Sequence, residues 1–152
     1  MIADADHRRA SIIGLYTALL DCRDEFAAVL ACDLPFVESA LISEMAKLIR
    51  SDEYLDAVVP RQTDGRLQPL CAIYRAATCL PFVEHMIAAD NFRLSDLTAQ
   101  LDLRIYDPPG DARWSVNVNT PDDLRSANDL LSIHAILNIR REYGKRNGRV
   151  RN

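Results

Sequence analysis

Val29-Leu-Ala-Cys-Asp-Leu-Pro-Phe36 is the stretch on which the reading of this chain turns. It closes a short apolar run, Phe26 to Cys32, of the length and character expected of a buried strand. The run stops at Asp33, followed by Leu34-Pro35. Proline has no N–H to give a ladder and pushes the residue before it away from helical angles, so the chain has to leave the sheet here. Open α/β sheets bind ligands outside the carboxyl ends of their strands, and Asp33 stands in such a place.

Working outward, Met1-Ile2-Ala3 reads as the end of a strand spilling into Asp4-Ala5-Asp6. Ser11 to Cys22 then reads as a helix, with Ile12, Leu15, Tyr16 and Leu19 at helical spacing and Ser11 as its N-cap. Gly14 falls near the start of that helix. It is either a tolerated or closely packed helix glycine, or a point where backbone comes close to a ligand.

Beyond Pro35, Val37 to Ser51 carries Leu41, Ile42, Met45, Leu48 and Ile49 on one helical face. Asp56 to Pro60 reads as a strand, Asp64-Gly65 as a turn and Leu67 to Tyr74 as another strand, which together suggest a hairpin. Ala76 to Ala89 and Leu94 to Leu101 read as helices, and Asp102 to Tyr106 as a strand stopped by Pro108-Pro109-Gly110. Thr120-Pro121-Asp122-Asp123 is the strongest helix start, an N-cap followed by proline and two acids, and its helix is expected to reach about Tyr143. Strands alternating with helices predict an α/β fold with a mostly parallel sheet and a hairpin-like insertion.

The composition is that of an ordinary soluble domain. Among 152 residues, 49% are hydrophobic and 26% charged, enough for one real core. A net charge of −4 argues against a surface built for nucleic acid or anionic lipid, and no apolar run has the length of a membrane span. Cys22, Cys32, Cys71 and Cys79 have no C-x-x-C spacing. Zinc and a disulfide framework are therefore not expected, and reduced, mostly buried thiols in a cytoplasmic protein are.

Two places carry chemistry. Asp33 offers a hard oxygen donor, suited to Mg2+ held by one carboxylate plus substrate phosphates, or else it caps the turn that follows. Asn117 and Asn119 share one side of an extended segment ahead of a helix start. They present carboxamides to a metal or a phosphate, or they are ordinary turn residues. Cys32 lies beside Asp33 but has no histidine near it in sequence, and a buried thiol is inert. The Arg- and Lys-rich tail from Arg140 to Arg151 reads as a solvated helix end or as a surface for a phosphate-rich partner.

VLACDLPF followed by VNVNTPDDL resembles the molybdenum cofactor guanylyltransferases, which join GMP from GTP to molybdopterin. QPLCAIYR (68–75), the opening IAD and SIIGLYTAL (11–19) are similar to further segments of that family. The resemblance implies a Rossmann-like nucleotidyltransferase sheet in residues 1–131, with 132–152 as a helix end and basic tail. It implies that Asp33 binds Mg2+ and GTP, that Asp4 contacts the nucleotide, and that Gly14 belongs to a turn beside it. Asn117 and Asn119 become active-site asparagines. The implied partners are GTP, molybdopterin and molybdoenzyme apoproteins.

The family opens with a strand, a glycine-rich loop carrying an arginine, and a lysine. Here the five glycines, at 14, 65, 110, 144 and 148, form no cluster near the start, and no lysine precedes Lys47. The expectation is a chain lacking the N-terminal strand, loop and helix, and inactive by itself. A fragment, a degenerate relative and one half of a split enzyme all fit that expectation. A non-catalytic binding or assembly module of the same fold, or transfer of another nucleotide such as CMP, are the alternatives.

Overall fold

A computed structural model describes the backbone of residues 2–110 and 112–129, with side chains from residue 8 onward, those of 111 and 112 excepted. The expected course of the last helix beyond 129 and the basic tail lie outside the described residues. Two compact units divide the chain, Met1–Val116 and Asn117–Asn152.

The first unit is a three-layer α/β arrangement around four strands. Its elements are α1 (Ile2–Leu20), β1 (Phe26–Leu30), α2 (Ser39–Arg50), β2 (Ala57–Pro60), β3 (Cys71–Arg75), α3 (Ala76–Ala88), α4 (Leu94–Thr98) and β4 (Leu103–Tyr106). A short 3₁₀ turn, Ala112–Ser115, follows. The sheet order is β1-β3-β2-β4. β3 runs antiparallel to both of its neighbours, while β2 and β4 pair in parallel. Three of the four strands therefore point one way and β3 alone is reversed. The sheet is mostly parallel in strand direction, but two of its three pairings are antiparallel.

Period-two alternation sorts the strand residues onto two cores. Ala57, Val59, Ala72 and Tyr74 pack with Ile12, Leu15 and Leu19 of α1 and with Cys79, Val83 and Met86 of α3. Val58, Cys71 and Ile73 pack on the other face with Leu41, Met45 and Ile49 of α2 and with Trp114. Each fully buried Leu, Ile, Met or Val contributes roughly 1.5–3 kcal/mol of transfer free energy.

The hairpin between β2 and β3 forms around Asp64-Gly65. Gly65 takes φ +87°, which glycine adopts without Cβ strain, and the Asp64 carboxylate accepts the Arg66 N–H at 3.0 Å. The Gln62 N–H closes the loop on the Arg66 carbonyl at 2.8 Å.

Three expectations are corrected. The Met1–Ala3 strand end and the separate helix from Ser11 are one helix, α1, so Asp4 lies in a first helical turn rather than at a strand end. Ile2 to Leu20 contains no proline and one glycine, and Asp4 and Asp6 suit the positive end of a helix dipole. The run from Phe26 is an edge strand ending at Leu30, with Ala28 exposed and Leu30 50% exposed. Among the described residues β3 is its one strand neighbour, and α2 lies mainly over β2 and β3. Cys32, past the strand end, is exposed rather than buried; Cys71 and Cys79 are buried and Cys22 is half-buried.

In the second unit, 121–129 are helical, and the expected cap is present. Thr120 Oγ1 accepts the Asp123 N–H at 3.1 Å, while the Asp123 carboxylate accepts the N–H groups of Thr120 at 2.9 Å and Asn119 at 3.1 Å. This reciprocal capping box satisfies amide donors that the first turn leaves without helical partners. The Thr120 hydroxyl, with the two amides, holds the Asp123 carboxyl below its ordinary range.

Candidate active site at the carboxyl ends of the strands

β1, β2 and β4 end at the same edge of the sheet, because all three point the same way. The residues that follow them are Asp33, Arg61 and Asp107. After β1, the Ala31 N–H still bonds to the Leu70 carbonyl at 2.7 Å, and the chain then turns. Leu34 is buried in the α2-side core and anchors the turn, so Asp33 is fixed between a strand end and a buried leucine. Its side chain is half-buried, with Oδ1 out of reach of solvent.

Arg61 and Asp107 join the ends of β2 and β4. Arg61 Nε donates to one carboxylate oxygen at 2.8 Å and Nη2 to the other at 2.7 Å, a bidentate fork. The Arg61 N–H also bonds to the Tyr106 carbonyl at 2.9 Å. The side-chain hydrogen bonds, with the ion pairing, raise the Arg61 pKa and lower that of Asp107. Both groups face water, and the pair ties two loops together at the strand ends.

A cavity of about 490 Å³ lies where α1 meets the loop before α4, lined by Arg8, Ser11, Phe92, Arg93, Leu94 and Ser95. Its loop is tightly built. The Asn91 side chain accepts the Arg93 N–H at 3.2 Å and donates to Asp96 at 3.0 Å, and Arg9 lies over the Phe92 ring at 5.2 Å. Two arginines and two hydroxyls share this lining with Phe92 and Leu94. Sequence reasoning passed over both it and the Arg61–Asp107 pair. Its only local signal was the Arg8-Arg9 doublet.

The remaining sequence candidates fall as follows. Asp4 lies in α1, and its side chain is outside the described residues. Gly14 is exposed in the interior of α1, with nothing within 4 Å of where a Cβ would stand, so close helix packing does not explain it. Asn117 and Asn119 are exposed and belong to the second unit, whereas Asp33 belongs to the first. Asn119 contributes its backbone N–H to the capping box, which is the turn role among its alternatives.

Among the described residues no three His, Cys, Asp or Glu side chains cluster as a metal site. One hard carboxylate at a strand end still fits an Mg2+ whose other ligands are phosphates and water. No helix of the described residues is long and apolar enough to cross a membrane.

Comparison with known proteins agrees with this arrangement. The family model of the MobA-like NTP transferase domain matches residues 1–104. The molybdenum cofactor guanylyltransferase of Desulfosudis oleivorans is 30% identical over 127 residues, covering 78% of this chain and 60% of that protein. The solved molybdopterin-guanine dinucleotide biosynthesis protein A of Archaeoglobus fulgidus has the same fold, with a TM-score of 0.67 at 24% identity, over 80% of this chain and 62% of that one. A solved protein of Aquifex aeolicus VF5 matches with a TM-score of 0.61 at 28% identity, over 72% of this chain and 56% of that one. The chain thus spans about three fifths of the length of the curated relatives it matches. With the family model covering more than half of its residues, the chain belongs to the MobA-like NTP transferase domain family.

Proposed function

We propose that this chain serves a nucleotidyltransferase that joins GMP from GTP to molybdopterin, with Asp33 as the carboxylate that holds Mg2+ against the nucleotide phosphates. The observation that carries the reading is the position of Asp33: half-buried, fixed at the carboxyl end of β1, and inside the span matched by the family model. In the reaction a molybdopterin phosphate oxygen bonds to the α-phosphorus of GTP, the bond from that phosphorus to the bridging oxygen breaks, and pyrophosphate leaves. Bound Mg2+ supplies charge neutralisation on the phosphates. The protein's own part is positioning and electrostatics. Asp33 gives an anionic oxygen on a rigid turn. Arg8 and Arg93 line a cavity able to take a phosphate. The family resemblance supports Asn117 and Asn119 as active-site asparagines, Asp4 as a contact to the nucleotide, and Gly14 as a point where backbone lies beside it.

A second reading, a non-catalytic binding or assembly module that meets molybdopterin or a molybdoenzyme apoprotein, is favoured by Gly14. This glycine sits in the interior of a helix rather than in a phosphate-side turn. Titrating the purified chain with GTP, with and without Mg2+, separates the two. The transferase reading expects Mg2+-dependent GTP binding weakened at least about tenfold in Asp33→Asn, since a metal-held carboxylate is worth 1.4 kcal/mol or more. Binding of molybdopterin without GTP would favour the module, and preference for CTP in competition would reassign the nucleotide. GTP binding indifferent to both Mg2+ and Asp33→Asn would remove Asp33 from the site.

A further inference from the structure

The parallel ladder of β2 and β4 runs to Pro60 and Tyr106, and the Arg61 N–H then bonds to the Tyr106 carbonyl at 2.9 Å. Backbone alone thus joins the two strand ends. The fork between Arg61 and Asp107 adds little stability beyond that, because the two side chains are 44% and 64% exposed. It is nevertheless well anchored. Arg61 bridges antiparallel to Leu67, the Gln68 N–H bonds to the Pro60 carbonyl at 3.0 Å, and Pro108-Pro109 stiffens the chain after Asp107.

The fork offers solvent a defined pattern of hydrogen-bonding groups. A guanidinium has five N–H donors, and here Nε–H and one N–H of Nη2 go to the Asp107 carboxylate, at 2.8 and 2.7 Å. Three donors are left for other partners, and each carboxylate oxygen keeps a further lone pair. The second N–H of Nη2 therefore stands beside the outer lone pair of the oxygen that Nη2 already binds. A donor and an acceptor lie side by side in the plane of the fork, their parent atoms 2.7 Å apart. That pattern complements the edge of a 2-amino-4-oxopyrimidine unit, where a carbonyl acceptor adjoins a ring N–H and an amino group. Pterins and guanine both carry this edge.

We propose that the Arg61–Asp107 fork binds this edge of the pterin of molybdopterin, with Arg61 donating to the ring carbonyl and Asp107 accepting from the adjoining ring N–H. The inference rests on the proposed reading in which molybdopterin is the second substrate. β3 alone stands between β1 and β2, so about 10 Å of sheet edge separates the strand leading to Asp33 from the one ending before Arg61. Molybdopterin carries its phosphate and its pterin at opposite ends. With the phosphate oxygen meeting the nucleotide beside Asp33, the pterin extends along the edge toward β2 and β4. Asp107 is also a positioning residue, since it fixes the plane in which Arg61 presents its outer donors. Guanine offers the same edge, but the resemblance gives the nucleotide contact to Asp4, which favours the pterin.

The test is fluorescence titration of the full chain, near neutral pH, with molybdopterin released anaerobically from a molybdoenzyme. Pterin should compete. 2,4-Diaminopteridine, which has an amino donor in place of the carbonyl and no adjoining ring N–H, should not. Asp107→Asn and Arg61→Gln should each weaken molybdopterin binding on the order of tenfold or more and leave Mg2+-dependent GTP binding unchanged. Urea melts check that each variant folds, and if Arg61→Gln does not, Asp107→Asn decides. The exchanged pair, Arg61→Asp with Asp107→Arg, restores the tie between the loops but reverses donor and acceptor, so it should not restore binding. Molybdopterin binding unchanged in the folded variants, or recovered in the exchanged pair, overturns the proposal. So does a chain that binds no molybdopterin, whether or not it binds GTP through Asp33. Should the variants weaken GTP binding instead, with guanosine competing, the fork reads the same edge on guanine and the pterin assignment falls. GTP binding indifferent to Mg2+ and Asp33→Asn, with the molybdopterin results as expected, would sink the metal role of Asp33 and leave this inference standing.

Discussion

Arg61 and Asp107 stand 46 residues apart, and nothing local in either stretch announces that they will meet. The parallel pairing of β2 with β4 puts Pro60 beside Tyr106, so the next residue of each strand falls within reach of the other. Asp33 was legible from its setting, because a proline-terminated apolar run is a local signal; its half-burial depends on Leu34 reaching a core that no window of sequence displays. The cysteines divide in the same way. Burial pushes the Cys71 thiol up to about 11; burial, with the Asp56 charge, pushes Cys79 up to about 12; and burial raises the Tyr74 phenol, whose OH donates to the Pro69 carbonyl at 2.7 Å. Raised values mean that the folded state keeps protons the unfolded chain releases. The stability these groups contribute is whole below about pH 8.5–9, where unfolded thiols titrate, and is lost as pH rises through 11 to 12. Urea melts at rising pH should show that fall under reducing conditions. Native-state alkylation should label Cys32 first and leave Cys71 and Cys79 unmodified until the chain unfolds.

α1 is the element that sequence reasoning divided wrongly. Ser11 is a good N-cap residue, but an N-cap matters only where a helix begins, and the helical run continues unbroken upstream of it. The elements read correctly carry their punctuation locally: Asp64-Gly65 in the hairpin, Thr120-Pro121 before the last helix, Pro108-Pro109 after β4. Whether a strand lies at an edge or in the centre is set by partners far along the chain, so an apolar run such as that of β1 reads as buried from sequence alone. Gly14 gives α1 a direct test. With open space around it, Gly14→Ala removes backbone freedom from the unfolded chain and should raise stability by roughly 0.5–1 kcal/mol, visible as a higher urea midpoint. If the glycine serves close approach to a nucleotide, the same variant should weaken GTP binding while stabilising the fold. An unchanged affinity would leave it a plain helix glycine.

The molecule's first unit stands on two cores that share a sheet and little else. Leu15 belongs to the α1-side cluster and Ile49 to the α2-side cluster, and both are fully buried. Each truncated to alanine should cost about 2–5 kcal/mol. Because they touch different neighbours, the double variant should lose the sum of the two within about 0.5 kcal/mol. Urea melts of the four-protein cycle measure this, and a larger coupling would mean that the sheet transmits strain between its faces. The strand order carries one more consequence, for the chain as it is made. β1 and β2 are synthesised first yet never touch as strands, since β3 lies between them and β4 comes later still. Among the described strands, neither has an antiparallel ladder partner until residue 75 has emerged. Two apolar strands must therefore wait for the one that runs against them, and Cys71–Arg75 then completes both pairings in a single step.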